Sequence, residues 1–598
     1  MKCYVCENNC FIPEDGVGKC GLYSNRNEKI VEIYPNQYLI INPITIETMP
    51  MLHFMPRGKF LQVSTVGCNF DCPGCISTVL VKEAGARPAW LQLKEPEMII
   101  NEAIEKECIG ICFLMNDPLA TWPTFTNVAR KARERGLLAG CSTNAFFTET
   151  SMSQAMSCLD FINVGIKGFS EEAYRRCGAR SPEPVWRNIE KIYQSGVHVE
   201  ISCMYRKNEE EGIFEIARRI ASISKEIPLQ IMRFIPMEDA DPELEPSIRE
   251  AEETSRNLKK YLHYVYLFNS PGTDFLITYC GNCGQPVLKR DFYGPMGARL
   301  KSSNTTPGKE VRCASCLSSL PVISGNKGIP IDFFREVDFQ GGYPFTRALE
   351  MLESIVVAMG VKEQSVILKV WNKYADKTML HKLHHDVQNP DAFAALIRSI
   401  GEITGYLARA TELADNLEFI LNEIRDKSAS AKEKPRVYYA MGKPLFCIKG
   451  ERMENQLIEI AGGKSVNRNL DISGRPGESI SADQLNRLNP EFIFISAFIS
   501  STVEDFYQEC LKQGIVADAV KKRRIYTHPA PGWDFGSPRW ILGLMYIANV
   551  LHPDLFQFDI QHEANEFYNR CYNIPFSPGD VNRSFSKPSS KWKFKKTN

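Results

Sequence analysis

This 598-residue sequence predicts an α/β fold in two parts, on three observations. Between about residues 60 and 235, six short apolar stretches alternate with amphipathic helical ones, which is the pattern of parallel strands joined by helical crossovers. From Tyr343 to Ile424 the pattern is almost wholly helical. Strand-helix alternation then returns at Arg436 and runs to a helix over Ser537–Leu551, marking a second α/β lobe. Domains usually hold ~100–200 residues, so a chain of this length is expected to contain several.

The expected strands of the first part are Phe60–Val66, Ile109–Met115, Leu138–Ser142, Phe161–Ile166, Val197–Met204 and Gln230–Ile235. Helical stretches between them include Glu95–Glu107, Thr126–Glu134, Glu171–Gln194 and Gly212–Ser224. Six such units make a partial, TIM-like (β/α)6 barrel, assigned residues 46–245. Chemistry in such barrels collects at the C-terminal ends of the strands. A cysteine-rich, irregular segment precedes it at 1–45, and residues 246–330 lose the alternation while carrying two cysteine pairs. A helical connector follows at 331–430, with a long helix over about Asp391–Arg425. A break near Asp426–Pro435 leads to the last lobe, 431–580, with strands from Arg436, over Phe492–Ser496 and over Arg524–Thr527. Residues 581–598 read as a basic, disordered tail.

Hydrophobic residues make up 44% and charged residues 24% of the chain, as in ordinary globular proteins. The 71 basic and 71 acidic residues cancel, leaving no electrostatic footprint for nucleic acid or an anionic membrane. No apolar run approaches the ~20 residues that span a bilayer. Met1 and Lys2 lead into Cys3 without a leader-type apolar run. A cytoplasmic location is therefore expected, where thiols stay reduced. The 20 cysteines are then metal ligands or core residues, not disulfides.

Directly after the first expected barrel strand, residues 67–75 read Gly-Cys-Asn-Phe-Asp-Cys-Pro-Gly-Cys, placing Cys68, Cys72 and Cys75 at C-x3-C-x2-C spacing. Three thiolates can each hold one iron of a [4Fe–4S] cluster and leave the fourth iron without a protein ligand. S-adenosylmethionine (SAM) can chelate that iron, and an electron from the reduced cluster then cleaves a carbon–sulfur bond to yield a 5′-deoxyadenosyl radical. A structural zinc site, the alternative, would want a fourth ligand nearby.

From Met1 to about Gly325 the chain resembles the radical SAM proteins of the AmmeMemoRadiSam type, relatives of pyruvate formate-lyase activating enzyme. The resemblance rests on Cys3-x2-Cys6-x3-Cys10 with Gly18-Lys19-Cys20-Gly21, on Leu52-His53-Phe54-Met55-Pro56, and on the cluster loop. It continues through Asn116-Asp117-Pro118, Ser142-Thr143-Asn144, Ile166-Lys167-Gly168-Phe169 and Arg233-Phe234-Ile235-Pro236. It implies that Asn116 and Asp117 lie beside the methionyl end of SAM and that Ser142, Thr143 and Asn144 line its ribose. It further implies that Lys167 faces the same mouth as a catalytic group with Asp117, and that Arg233 contributes to cofactor binding. Each polar residue also has a plainer reading as a strand-end cap or turn. The chain departs from the family pattern at Gly165, where an Asp is usual, at Gly74 before the third cluster cysteine, and at Ile235, where the family has His.

Cys280-x2-Cys283 and Cys313-x2-Cys316 present four thiolates as zinc ribbons do, with rubredoxin-type iron as rival. Cys3, Cys6, Cys10 and Cys20 form another four-thiolate set, suited to zinc or an auxiliary iron–sulfur cluster. Cys108, Cys112, Cys141, Cys158, Cys177, Cys203, Cys447, Cys510 and Cys571 read as core.

From about residue 380 to 580 the chain resembles the iron-complex and cobalamin type of ABC substrate-binding protein, the class III or TroA-like fold. The resemblance is carried by Pro435-Arg-Val-Tyr-Tyr-Ala, Ile458-Glu-Ile-Ala-Gly-Gly-Lys-Ser-Val, the run from Ile480 to Pro490, Trp533-Asp-Phe-Gly-Ser-Pro-Arg and Leu551-His-Pro-Asp-Leu-Phe. It implies cleft-facing Tyr439, Trp533 and Arg539, a set suited to a planar anionic chelate or corrinoid. The cluster His381, His384, His385 and Asp386 reads first as a solvated helix end. The fusion leads to the expectation of a radical SAM enzyme acting on a metal-chelate or tetrapyrrole-like cofactor, with a ferredoxin or flavodoxin as reductant. The alternatives are an activase for a glycyl-radical-type protein partner and a non-enzymatic metal-cofactor chaperone.

Overall fold

A computed structural model describes residues 1–75, 77, 91–236, 241–306, 308, 310–325, 342–374, 377–474, 476–498 and 501–576. The chain divides into two units, one of Met1–Phe234, Glu250–Asn269 and Asp274–Thr346, the other of Ile235–Arg249, Ser270–Thr273 and the chain from Arg347. The basic tail lies outside the described residues.

The first unit is built on an eight-stranded sheet: β1 (Ile40–Thr45), β2 (Lys59–Ser64), β3 (Gly110–Phe113), β4 (Leu138–Thr143), β5 (Phe161–Ile166), β6 (His198–Tyr205), β7 (Leu229–Arg233) and β8 (Val265–Phe268). The strands stand in chain order; β1 is antiparallel to β2 and every later pairing is parallel. The parallel part has seven strands where the sequence pattern suggests six. The seventh follows a helix, Ile248–Leu258, inside the stretch read as irregular. Four residues of Val-Tyr-Leu-Phe are too few to display a period, and that helix is dominated by charge. The expected helix Glu171–Gln194 is two, Glu171–Arg176 and Glu183–Ser195. Pro182 and Pro184 explain the break, because proline disfavours helix in the residue before it.

Period-two alternation sorts the side chains of this sheet. Leu61, Val63, Ile111, Ala139, Cys141, Ile162, Val164, Val199 and Ile201 belong to one apolar core with helix residues such as Ile99, Phe125, Val128, Ile189 and Ile216. The intervening residues Phe60, Gln62, Ser64, Ser142, Phe161, Asn163, Glu200, Ser202 and Gln230 face the inside of the curved sheet. There Phe60 and Phe161 join Phe54, Met49 and Met51 in a separate apolar plug. Beyond this plug the inner face turns polar in mid-strand. Asn163 Nδ2 donates to Gln230 Oε1 (3.0 Å), and Ser202 Oγ donates to Asn163 Oδ1 (3.1 Å). Residues 278–323 form a small antiparallel module carrying both cysteine pairs.

The second unit opens with helices and contains its own sheet. Pro390–Thr404 and Leu407–Ala429 pack against each other, so the long helix begins at Leu407 and not near Asp391. Gly405 makes the turn at φ 84°, a conformation that costs glycine little. Its sheet has Arg436–Ala440 at the centre, parallel to Lys464–Ser465 and Phe492–Ile495, and Ile525–Thr527 continues parallel beyond Phe492–Ile495. Phe446–Ile448 and Gly477–Ser479 add antiparallel strands on the other side. Among the described residues no helix is long and apolar enough to cross a membrane.

Candidate functional site

Cys68, Cys72 and Cys75 lie in the loop that leaves the C-terminal end of β2, and all three are free thiols. Gly67 and Gly74 take left-handed φ values of 78° and 65° within it, which bend the loop tightly between sulfurs. The Phe70 amide donates to Cys68 Sγ at 3.4 Å. Burial and the nearby Asp117 carboxylate push the free Cys68 thiol well above its ordinary value, so a bare thiolate is disfavoured there. Iron would stabilise the deprotonated form, because a coordinated thiol loses its proton outright.

The polar residues after β3 and β4 brace this loop. Asn116 Oδ1 accepts from the Thr65 amide (2.9 Å), while its Nδ2 donates to Thr65 Oγ1 (2.8 Å) and Gly67 O (3.2 Å). Asp117 accepts from the amides of Leu119 (3.0 Å) and Asn144 (2.6 Å) and from Thr143 Oγ1 (3.1 Å). Asn144 Nδ2 donates to Asn69 Oδ1 at 2.7 Å, next to Cys68. Asn116, Asp117, Thr143 and Asn144 are buried. Asn116, Asp117 and Thr143 make these bonds in the plainer role of strand-end caps. Ser142 is half-buried and makes one long bond, 3.4 Å to Asn163 Oδ1. Arg233 is buried, and its Nε donates to Asn269 O (3.0 Å) while Asn269 Nδ2 donates back to Arg233 O (2.8 Å). It ties β7 to the end of β8.

Lys167 follows β5 in phase with Phe161, Asn163 and Gly165, so it is placed on the inner side of the sheet. It is reached by solvent. A Cβ on Gly165 would stand 3.2 Å from Lys167 Nζ, so the glycine that departs from the family pattern leaves room for the ammonium to fold back over the strand ends. Burial pulls the ammonium down, but negative charge on Cys72, Cys68, Cys75 and Cys177, once those sulfurs are deprotonated, outweighs it and raises the ammonium above its ordinary value. Cys177 is buried, as expected, yet it stands beside Cys72 and its carbonyl accepts from the Asp71 amide at 2.9 Å.

The second cysteine group is compact. Cys280 and Cys316 sulfurs are 3.6 Å apart, Cys283 and Cys313 3.7 Å, and all four lie within 4.8 Å of one another. Ser318 and Asn282 lower the Cys316 thiol to about 6, which favours the ligand form. The N-terminal Cys3, Cys6, Cys10 and Cys20 line one cavity, with Asn69 of the cluster loop in its wall.

The second unit does not present Tyr439, Trp533 and Arg539 to solvent: their exposures are 0%, 0% and 1%. Tyr439 OH meets His528 Nε2 at 2.6 Å, and Asp534 Oδ2 accepts from Ser496 Oγ (2.8 Å). Trp533 Nε1 donates to Tyr568 OH (3.3 Å), and Arg539 Nε to Ser537 Oγ (2.9 Å). The cleft-facing expectation is thus corrected, because these side chains serve the interior of the lobe. On the helix Lys377–Asp386, His385 pairs with Asp386 (3.2 Å) and His384 Nε2 with Gln388 (2.7 Å); the His381 side chain lies outside the described residues. Sequence reasoning missed Thr65, Asn69, Asn163, Glu200 and Gln230. For Asn163, Glu200 and Gln230 the signal was a polar residue at alternate positions of strands that are otherwise apolar; Thr65 and Asn69, in the loop after β2, had none.

A radical SAM superfamily model matches residues 63–220, and a periplasmic binding protein model matches residues 339–531. An uncharacterized protein of Methanocaldococcus jannaschii is 26% identical over 296 residues, 48% of this chain and 87% of that one. The high-affinity heme uptake system protein IsdE of Staphylococcus aureus is 28% identical over 136 residues, 22% of this chain. The chain thus spans about half, 46%, of that relative's length. A periplasmic solute binding protein structure from Veillonella parvula aligns with a TM-score of 0.29 at 22% identity, covering 32% of this chain and 59% of that one. Staphylococcus aureus IsdE complexed with heme aligns with a TM-score of 0.25 at 21% identity, covering 30% and 73%. The chain therefore carries a radical SAM domain match at residues 63–220 and a periplasmic-binding-protein domain match at residues 339–531.

Proposed function

We propose that the protein reductively cleaves SAM at a [4Fe–4S] cluster held by Cys68, Cys72 and Cys75, and that its substrate is a metal-chelate or tetrapyrrole-like cofactor taken up by the C-terminal lobe. The observation that carries the first part is the three-thiolate loop at the C-terminal ends of parallel strands, with a lysine ammonium beside it. The donor set fits the group: three sulfurs on one glycine-bent loop, a solvent-reached mouth and a compensating positive charge. When bound, the cluster and SAM supply one-electron cleavage of a carbon–sulfur bond, and the protein supplies position and water exclusion.

The chain's own residues have distinct parts in this. Asn116 and Asp117 hold the loop and the strand ends in register, and Asn144 holds Asn69. Lys167 places positive charge where the cluster thiolates concentrate negative charge, and it is the residue best positioned to meet an anionic group of SAM or substrate. The second part of the proposal is supported by the periplasmic-binding-protein match and by the partial similarity to a heme uptake protein. The ligand contacts are assigned to surface residues of that lobe other than Tyr439, Trp533 and Arg539. A low-potential ferredoxin or flavodoxin in the cytoplasm is the proposed electron source.

The test is anaerobic. The protein is loaded with iron and sulfide, reduced with dithionite and given SAM, and 5′-deoxyadenosine is followed by chromatography. Formation is expected in the wild type, with loss of at least ~100-fold in Cys72→Ala, the size typical for removing an essential group. A fully loaded, reducible cluster that binds SAM and yields no product, with or without haem or cobalamin, overturns the reading.

A further inference from the structure

The cysteine groups differ in how far apart their sulfurs stand, and that spacing reports the number of metal ions each can hold. A tetrahedral ion with bonds of ~2.3 Å spaces its ligand sulfurs about 3.8 Å apart. The group at Cys280, Cys283, Cys313 and Cys316, with spacings of 3.6 and 3.7 Å, matches one ion. Among the described residues it alone gathers three or more such ligand atoms within 4.8 Å. Cys68, Cys72 and Cys75 form no such group among the described residues, and in a polynuclear cluster each thiolate would hold its own iron.

Cys3, Cys6, Cys10 and Cys20 follow the second pattern. They line one cavity, so they share a site, yet their sulfurs do not converge to the spacing of a single ion. The segment is organised by backbone bonds. The Cys3 amide donates to Cys10 O (2.8 Å), and the turn from Gly18 to Gly21 (2.8 Å) brings Cys20 round to the same cavity. Val5, Ile12, Tyr23 and Leu119 supply apolar wall, a surrounding that suits a cluster better than four solvated thiols. The cavity also adjoins the first metal loop: Asn69 lines it, and Asn8 Nδ2 donates to Asn69 O at 3.3 Å.

We infer that this N-terminal cavity holds an iron–sulfur cluster, not a zinc ion, seated one residue from Cys68. The inference stands apart from the proposed SAM chemistry, because its test reads metal and sulfide and not product. The full chain carrying Cys68→Ala, Cys72→Ala and Cys75→Ala is loaded anaerobically with 57Fe and sulfide. Iron, zinc and acid-labile sulfide are then counted, and Mössbauer spectra recorded. The inference expects retained acid-labile sulfide with a polynuclear iron signal, both abolished by adding Cys6→Ser and Cys20→Ser. Mononuclear iron or zinc at the other group contributes no sulfide, so it cannot imitate this result. Absence of sulfide in the triple variant, with circular dichroism like that of the wild type, overturns the inference. So does sulfide that survives Cys6→Ser and Cys20→Ser. Should the triple variant misfold, the difference in iron and sulfide between wild type and Cys6→Ser/Cys20→Ser gives the same reading. Equal contents then refute the inference.

Discussion

At the scale of single residues, polar atoms near the candidate site do more bracing than contacting. Asp117 illustrates this. Three donors converge on one buried carboxylate, and leaving such donors unpaired costs about 1–3 kcal/mol each. Another buried group, His53, has a consequence that can be read against pH. Its Nε2 meets Tyr266 OH at 2.6 Å and its Nδ1 faces Pro321 O at 2.9 Å. Burial pulls its pKa down to about 4, with Glu200 opposing and Arg290 reinforcing the fall. The folded state thus excludes a proton that the unfolded chain binds near pH 6.5. The stabilisation tied to the neutral ring is complete above that value and is lost as pH falls from about 6.5 toward 4. At pH 5 the loss is about 2 kcal/mol. Urea unfolding of the first unit at pH 8 and pH 5 is expected to show that loss in the wild type and not in His53→Gln. Equal pH dependence in the two would refute the assignment.

At the scale of elements, the cluster loop depends on close approach as much as on cysteine spacing. Gly67 sits at φ 78°, and a Cβ there would come within 2.3 Å of Leu22 Cδ1. An alanine at this position meets both a strained backbone and an occupied space, for a combined cost of about 2–4 kcal/mol. Gly67→Ala is expected to lower the melting temperature and to reduce iron retained after anaerobic reconstitution. Gly136→Ala is the comparison, since it has positive φ but no atom within 4 Å of the added Cβ. It should cost backbone strain alone and leave iron content unchanged. Equal iron loss in both variants would show that the Leu22 contact does not matter. The strands β2 to β7 were legible in the sequence. The strand Val265–Phe268 and the helix Glu149–Cys158 were not. The strand is too short to show alternation, and the helix is a Ser/Thr-rich run whose composition reads as loop.

At the scale of the whole molecule, two domains with separate sheets each have their own expected ligand, and each can be probed alone. Haem and cobalamin titrated into wild type and into the variant lacking Cys68, Cys72 and Cys75 should bind with the same affinity if the C-terminal lobe holds the chelate. Equilibrium dialysis measures this. Absence of binding in both proteins removes the chelate from the proposed function and leaves the radical chemistry untouched.

The sequence by itself determined where metal chemistry lies, because C-x3-C-x2-C and paired C-x2-C spacings constrain which sulfurs one loop can present. It also determined the strand-helix alternation of both lobes, because burial on one face imposes a period. Only the tertiary structure decided the direction and company of individual side chains. It sent Asn116 into the cluster loop's hydrogen bonds and Asp117 into those at the end of β4, buried Tyr439, Trp533 and Arg539 inside their lobe, and brought Cys280, Cys283, Cys313 and Cys316 to single-ion spacing. Such distinctions depend on contacts between residues far apart in the chain, such as Asn8 with Asn69 or Cys283 with Cys313. No local pattern carries them, since a polar or cysteine residue at a strand end looks the same in sequence whether it meets solvent, a ligand or its neighbour's backbone.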